Sequence, residues 1–242
     1  MTIYSKTDIG KVRGSNQDAV TSGVFEGGAW GIVCDGMGGA NGGDTASSKA
    51  VEIIGAAFSE QLSSELSGEQ VRRVIEQAAA CANDEIYELA RKDISLAGMG
   101  TTFVCAVVIG EQLYVAHAGD SRAYVLGSNR INLITKDHSM VQELVNIGRL
   151  TEEEARNHPR KNVITRALGV YTEIEVDHTE CTLERRDMVL LCSDGLTNCV
   201  EEERLLSMAQ DIEHDSSLCE AYVDQANTNG GQDNITVLIM CN

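Results

Sequence analysis

Three features of the sequence predict an α+β protein in which sheet packs on sheet and helices lie outside. Short apolar runs recur along the chain, and each ends at a polar or glycine-containing turn, the spacing of antiparallel strands. Two long segments of helical period, 44–61 and 67–89, follow the third of these runs. Two more, 201–210 and 216–226, precede the last run. Helices placed in pairs between antiparallel strands suit sheets that cover each other on one face and are covered by helices on the other.

Taken in order, Thr2 to Ile9 alternates loosely and reads as an edge strand. Ala19–Phe25 and Ala29–Cys34 form a hairpin across Glu26-Gly27-Gly28. Asp44 or Thr45 caps the first helix, which buries Val51, Ile54, Ala57 and Phe58. Ser67 or Gly68 opens the second, whose stripe runs from Val71 through Ile75, Ala78, Ala82 and Ile86 to Leu89. Runs 102–109, 113–118, 122–126 and 131–134 read as one antiparallel meander. The pattern changes between Asp137 and Gly169, where short helical pieces flank turns around the only proline, Pro159. This segment reads as a variable insertion or flap. Strands are then expected at Glu173–His178, Met188–Cys192 and Asn234–Met240. With no linker or repeat in sight, residues 1–242 read as one domain, ample in core since 43% of the chain is hydrophobic.

A net charge of −18 argues against nucleic acid and anionic membranes, which need a basic face. No signal peptide and no apolar run long enough to cross a bilayer is evident, so a soluble protein without membrane insertion is expected. The eight cysteines show no C-x-x-C pair and lie largely in apolar runs, which points to a reducing cytoplasm.

The chemistry is concentrated where apolar runs meet tight turns. Ala29 to Cys34 ends in Asp35-Gly36-Met37-Gly38-Gly39, and Asp120, Asp194 and Asp233 occupy equivalent positions in Gly119-Asp120-Ser121-Arg122, Ser193-Asp194-Gly195 and Gly231-Gln232-Asp233-Asn234. Four carboxylates placed alike on strand ends suggest a site for a hard metal ion, with glycines allowing the backbone to approach closely. Asp18 offers a further carboxylate, and Arg13 a planar fork of donors suited to phosphoryl oxygens.

These motifs, with Arg13-Gly14-Ser15-Asn16-Gln17-Asp18, Gly100-Thr101-Thr102, Asp137-His138-Ser139 and Thr165-Arg166-Ala167-Leu168-Gly169, span nearly the whole chain. In this order they resemble bacterial metal-dependent serine/threonine protein phosphatases of the protein phosphatase 2C-like (PPM) family. The resemblance implies a four-layer α-β-β-α sandwich, two antiparallel sheets packed face to face with helices on both outer faces. It implies two Mg²⁺ or Mn²⁺ ions bridged by Asp35, with the Gly36 carbonyl completing one shell and Asp194 and Asp233 holding the other. Asp120, with Asp194, matches a third, weaker metal position; Asp18 acts through metal-bound water and Arg13 grips the phosphate. Water activated between two metals would hydrolyse phosphoserine or phosphothreonine with no phosphoenzyme intermediate. Phosphorylated proteins are the implied substrates and a bacterial serine/threonine kinase the opposing enzyme; a monomer is expected.

The chain departs from the family at Met37 and Ala40, where relatives carry a histidine. Neither residue can donate a proton, which leaves His138 and His158 as candidate general acids. Three rival readings are weaker. A calcium-binding or structural module would need tandem loops or EF-hand spacing, and neither is present. A two-metal phosphodiesterase or nuclease fits the acidic balance and sparse aromatics poorly. A catalytically dead, non-catalytic metal-binding relative would be expected to lack Asp35, Asp194 or Asp233.

Overall fold

The computed structural model describes residues 1–38 and 42–241. In chain order the elements are β1 (Thr2–Asp8), β2 (Asp18–Phe25), β3 (Gly28–Met37), α1 (Gly43–Gln61), α2 (Gly68–Lys92), β4 (Gly100–Thr101), β5 (Phe103–Ile109), β6 (Gln112–Ala118), β7 (Arg122–Gly127), β8 (Arg130–Leu133), α3 (Met140–Asn146), α4 (Glu152–Arg156), β9 (Asp177–Thr182), β10 (Met188–Cys192), α5 (Asp194–Thr197), α6 (Glu202–Asp211), α7 (Ser216–Thr228) and β11 (Ile235–Cys241). Five strands form one sheet in the order β1-β11-β10-β7-β8. Six form the other, β2-β3-β5-β6-β9 with the short β4 beside β3.

Period-two alternation sorts the apolar side chains into layers. Along β3, Ala29 and Val33 face the other sheet, while Trp30, Ile32 and Cys34 pack on α1 and α2 with Ile54, Phe58 and Ile75. Along β11, Leu238 and Met240 enter the space between the sheets, while Ile235, Val237 and Ile239 pack under Leu205, Leu218 and Tyr222 of α6 and α7. The result is the expected α-β-β-α sandwich.

Most elements fall where the sequence places them. Ser67 caps α2 with a reciprocal capping box to Gln70, and β1 is an edge strand. Four features differ. First, α1 begins at Gly43, with Asp44 in its first turn rather than at the cap. Gly43 is pressed against Gly36, where an added Cβ would lie 2.0 Å from the Gly43 carbonyl oxygen, and that contact fixes where the helix starts. Second, the four-strand meander is broken in the middle: β5 and β6 belong to one sheet, β7 and β8 to the other. The chain crosses between sheets at Gly119-Asp120-Ser121. Third, the strand expected at Glu173–His178 runs from Asp177 to Thr182. Asp177 pairs with His117 near the end of β6, so residues 173–176 run past the strand that would pair with them. Ile174 and Val176 instead pack on the helix-covered core. Fourth, the one-turn helix α5 follows β10 after Ser193 and opens on Asp194.

Candidate active site

Five aspartates gather at one end of the sandwich, and the strands explain why. Asp18 opens β2 and pairs across the ladder with Asp35 on β3. Asp120 lies on the crossing between β6 and β7, Asp194 follows β10 after Ser193, and Asp233 precedes β11 with Asn234 between them. Arg13, Asp35, Gly36, Met37, Asp120, Asp194 and Asp233 line a single cleft of about 730 Å³. Asp18 sits behind it, its Oδ2 accepting a 2.7 Å hydrogen bond from Ser193 Oγ. Ala40, singled out above, lies outside the described residues.

The surrounding polar residues hold the acids in place. Asp35 is fixed through its backbone: its N–H donates to Thr102 Oγ1 at 2.8 Å, and its carbonyl accepts from Thr102 N and Thr101 Oγ1. Asn234 ties down the loop that carries Arg13 and Asp18, accepting from Gln17 N and donating to the Ile9 and Ser15 carbonyls. Gly195 packs where an added Cβ would meet the Asn234 carbonyl oxygen at 2.0 Å, so only glycine fits beside the acid. Lys161 of the insertion donates to Asn198 Oδ1, and Asn198 Nδ2 donates to Asp194 Oδ2 at 2.9 Å. Asn162 and Ile164 bring the insertion to the cleft wall. The threonines and Asn234 lie inside the sequence motifs, but the contacts by which they hold Asp35 and the Arg13 loop span 66 residues or more. Nothing local marks Lys161, Asn162 or Asn198.

Charge is poorly balanced here. Burial, then mutual repulsion, pushes Asp35 and Asp120 well above the usual carboxylate range. Burial, with repulsion from neighbouring aspartates, also lifts Asp18 to about 7 and Asp194 to about 6. Among the described residues, the one guanidinium that lines the cleft, Arg13, donates to Asp233 Oδ2 at 2.7 Å, and it is half exposed. Asp18 Oδ1 and Asp194 Oδ1 are buried without a hydrogen-bond partner. Buried carboxylate oxygens without donors are rare and fit cation ligands. The donor set, carboxylates with a nearby backbone carbonyl, suits a hard divalent ion.

The two candidate acids are not in the cleft. His138 accepts the Gly119 N–H at Nδ1 (3.1 Å), so its proton lies on Nε2, which faces Asp177 Oδ2 at 3.2 Å. In that tautomer the ring proton is turned toward Asp177 and not into the cleft, which argues against His138 as the proton donor. His158 sits in the turn after α4 and accepts from Arg160 N at 3.1 Å; it does not line the cleft either. His117, His138 and Asp177 bring potential ligand atoms within 4.8 Å of one another. Arg166 already supplies the positive charge there, with Nη1 2.6 Å from Asp177 Oδ1 and 3.2 Å from His138 Nε2.

Fold and cleft together define a hydrolase-type site: buried acids short of positive charge, with a half-exposed guanidinium at the rim. Residues 11–234 match the model of the protein phosphatase 2C family. The serine/threonine phosphatase stp of Listeria welshimeri is 40% identical over 238 residues, 97% of this chain and 93% of that protein. A serine/threonine phosphatase of Streptococcus agalactiae superposes with a TM-score of 0.91 at 36% identity, covering 98% of both chains. The catalytic domain of the serine/threonine phosphatase PstP, solved with two manganese ions, superposes at 0.84 with 33% identity, covering 98% of this chain and 96% of that one. The chain belongs to the protein phosphatase 2C family and is a metal-dependent protein phosphatase.

Proposed function

We propose that this phosphatase hydrolyses phosphoserine and phosphothreonine in proteins, with Asp35 the ligand shared by two Mn²⁺ or Mg²⁺ ions. The Gly36 carbonyl completes the shell of one, and Asp194 and Asp233 hold the other. Asp120, with Asp194, takes a third and weaker ion, and Asp18 acts through water. When bound, the ions supply Lewis-acid activation of water and neutralise charge on the phosphoryl oxygens. The observation that carries this reading is the pair of buried, donorless oxygens of Asp18 and Asp194 among three further aspartates.

The chain's own contribution is placement. Thr101 and Thr102 hold Asp35 by its backbone, leaving its carboxylate to the cleft. Arg13, half exposed and held by one exposed ion pair worth about 0–1 kcal/mol, can leave Asp233 to bind phosphate as a two-pronged donor. No residue of the chain becomes phosphorylated. A second cavity of about 500 Å³ shares Asp120, Asn162 and Asp194 with the cleft and runs beneath α3 and α4. We place the peptide around the phosphorylated residue there, in contact with the 137–169 insertion. A monomer opposing a bacterial serine/threonine kinase in the cytoplasm fits the bacterial relatives and the eight free cysteines.

The test is turnover of a phosphothreonine peptide with Mn²⁺, with and without chelator, by wild type and Asp35→Asn. Removing the shared ligand's charge should reduce turnover by roughly 10³-fold or more, the rate equivalent of several kcal/mol. Near-normal turnover by folded Asp35→Asn at saturating Mn²⁺ would overturn the assignment.

A further inference from the structure

We propose that His138 is a positioning residue for Asp120: it grips Gly119 on both sides and so sets the direction in which Asp120 presents its carboxylate. The Gly119 N–H donates to His138 Nδ1 at 3.1 Å, and the His138 backbone N–H donates to the Gly119 carbonyl at 2.9 Å. Both peptide planes flanking the Gly119 Cα are thereby held, which fixes its two backbone dihedrals. Gly119 needs such support. It has φ +114°, and an added Cβ would lie 2.7 Å from Thr102 Cγ2. On the other side of Asp120, Ser121 Oγ bonds Thr102 Oγ1 at 2.7 Å, the same hydroxyl that accepts the Asp35 N–H. Asp120 is thus suspended between two anchors, one running to the Asp35 strand and the other to His138.

The His138 anchor is itself braced. Its ring stacks on His117 with centroids 4.5 Å apart and planes 7° from parallel. Only the tautomer with hydrogen on Nε2 leaves a lone pair on Nδ1 for Gly119; Asp177 Oδ2 at 3.2 Å favours that hydrogen, while Arg166 Nη1, also 3.2 Å from Nε2, works against it. Arg166 pins the other Asp177 oxygen at 2.6 Å. A carboxylate that orients an imidazole, which in turn orients a ligand-bearing element, is the logic of residues just behind a metal site. His138 touches neither phosphate nor ion in this reading; it acts through Gly119.

The proposal rests on Asp120 being a metal ligand, and the experiment separates the two ideas. Mn²⁺ would be titrated calorimetrically into chelator-stripped wild type, Asp120→Ala, His138→Asn and His138→Gln. Asn places its amide oxygen near the Nδ1 position and Gln does not. Asp120→Ala should abolish the weak binding event. His138→Gln should weaken it by ~10–100-fold, the range for residues that orient ligands. His138→Asn should stay close to wild type, and the tighter events should persist in all four. Nitrogen NMR of the wild-type ring should show hydrogen on Nε2. If His138→Gln binds the weak ion as wild type does while Asp120→Ala has lost it, the positioning role fails and Asp120 remains a ligand. If Asp120→Ala keeps the weak event, the ligand role fails and the proposal with it. Equal weakening by Asn and Gln would reduce His138 to packing and overturn the proposal. Should His138→Gln not fold, Asp177→Ala, at a half-exposed position, tests the same chain and should weaken the same event.

Discussion

The turn at Gly119-Asp120-Ser121-Arg122 has two sides, and they handle carboxylates in opposite ways. On one side Arg122 meets Asp137 with two parallel hydrogen bonds of 2.9 and 2.7 Å, and Arg166 meets Asp177. On the other, Asp18, Asp35, Asp120 and Asp194 crowd together, and the chain offers Arg13 to Asp233 at the rim. Aspartate is the common residue, although Asp177 is half exposed while Asp18, Asp35, Asp120 and Asp194 are buried. In the proposed assignment the difference is where the cation comes from: within the chain on one side, from solution on the other. A side chain supplies a fixed charge that stabilises the fold, whereas a bound ion can also act on substrate.

Isosteric substitution on each side should therefore produce opposite outcomes. Asp194→Asn should cost turnover roughly 10³-fold by weakening an ion, yet should not lower the melting temperature of the chelated protein. Asp137→Asn should leave Mn²⁺ binding intact. It strips the charge from the partner of a largely buried guanidinium. A loss of about 2 kcal/mol, or roughly 4–8 °C in melting temperature, is expected. Calorimetry and turnover on the two variants check both halves. Loss of melting temperature in Asp194→Asn without loss of activity would erase the distinction.

The second expectation is a pH dependence confined to the acidic side. In metal-free protein, Asp18 and Asp194 hold protons up to about 7 and 6, whereas unfolded carboxylates release them near 3.8. Native protein then binds more protons than unfolded protein across that window. This stabilisation is complete below the unfolded value and is lost as pH rises through 6 and 7. Buried His117, His138 and His178 have lowered pKa values, so their stabilisation grows as pH rises and is complete above about 6.5. The difference between melting curves in chelator and in Mn²⁺, measured from pH 5 to 8, separates the two groups. Stabilisation by Mn²⁺ should increase with pH, because ions replace protons that the acids can no longer keep. A constant difference over that range would mean that the aspartates are not short of charge.

The same two sides were unequally legible in the sequence. Asp35, Asp120, Asp194 and Asp233 stand out because each follows or precedes an apolar run at a turn, a pattern that local sequence carries. The exchange of sheets at Gly119 does not stand out, because alternation specifies which face a residue takes and not which sheet its strand joins. For the same reason Ile174 and Val176 looked like strand residues when they pack on helices. Thr102 and Asn234 were visible as motif members, but their work depends on partners 67 and 217 residues away. The Lys161-Asn198-Asp194 chain joins the insertion to α5 through contacts that exist only once both are folded.

The smallest expected effect asks whether the acidic side, given its ions, is chemically complete. The departing serine or threonine oxygen gains charge as phosphate leaves, and general acid assistance typically contributes ~10²–10⁴-fold. Met37 lines the cleft and has no proton to give. The proton of His138 points to Asp177, which leaves His158 as the donor that the insertion could swing in. His158 is held in its own turn by the Arg160 N–H and does not line the cleft. His158→Ala should therefore keep at least about a tenth of wild-type kcat on a phosphothreonine peptide, whose leaving group is poor, a smaller loss than removal of a general acid brings. With no acid at work, hydrolysis of aryl phosphates should slow steeply as the phenol pKa rises. A loss of ~100-fold on the peptide, with little change on an activated aryl phosphate, would instead make His158 the acid and the insertion part of the catalytic machinery.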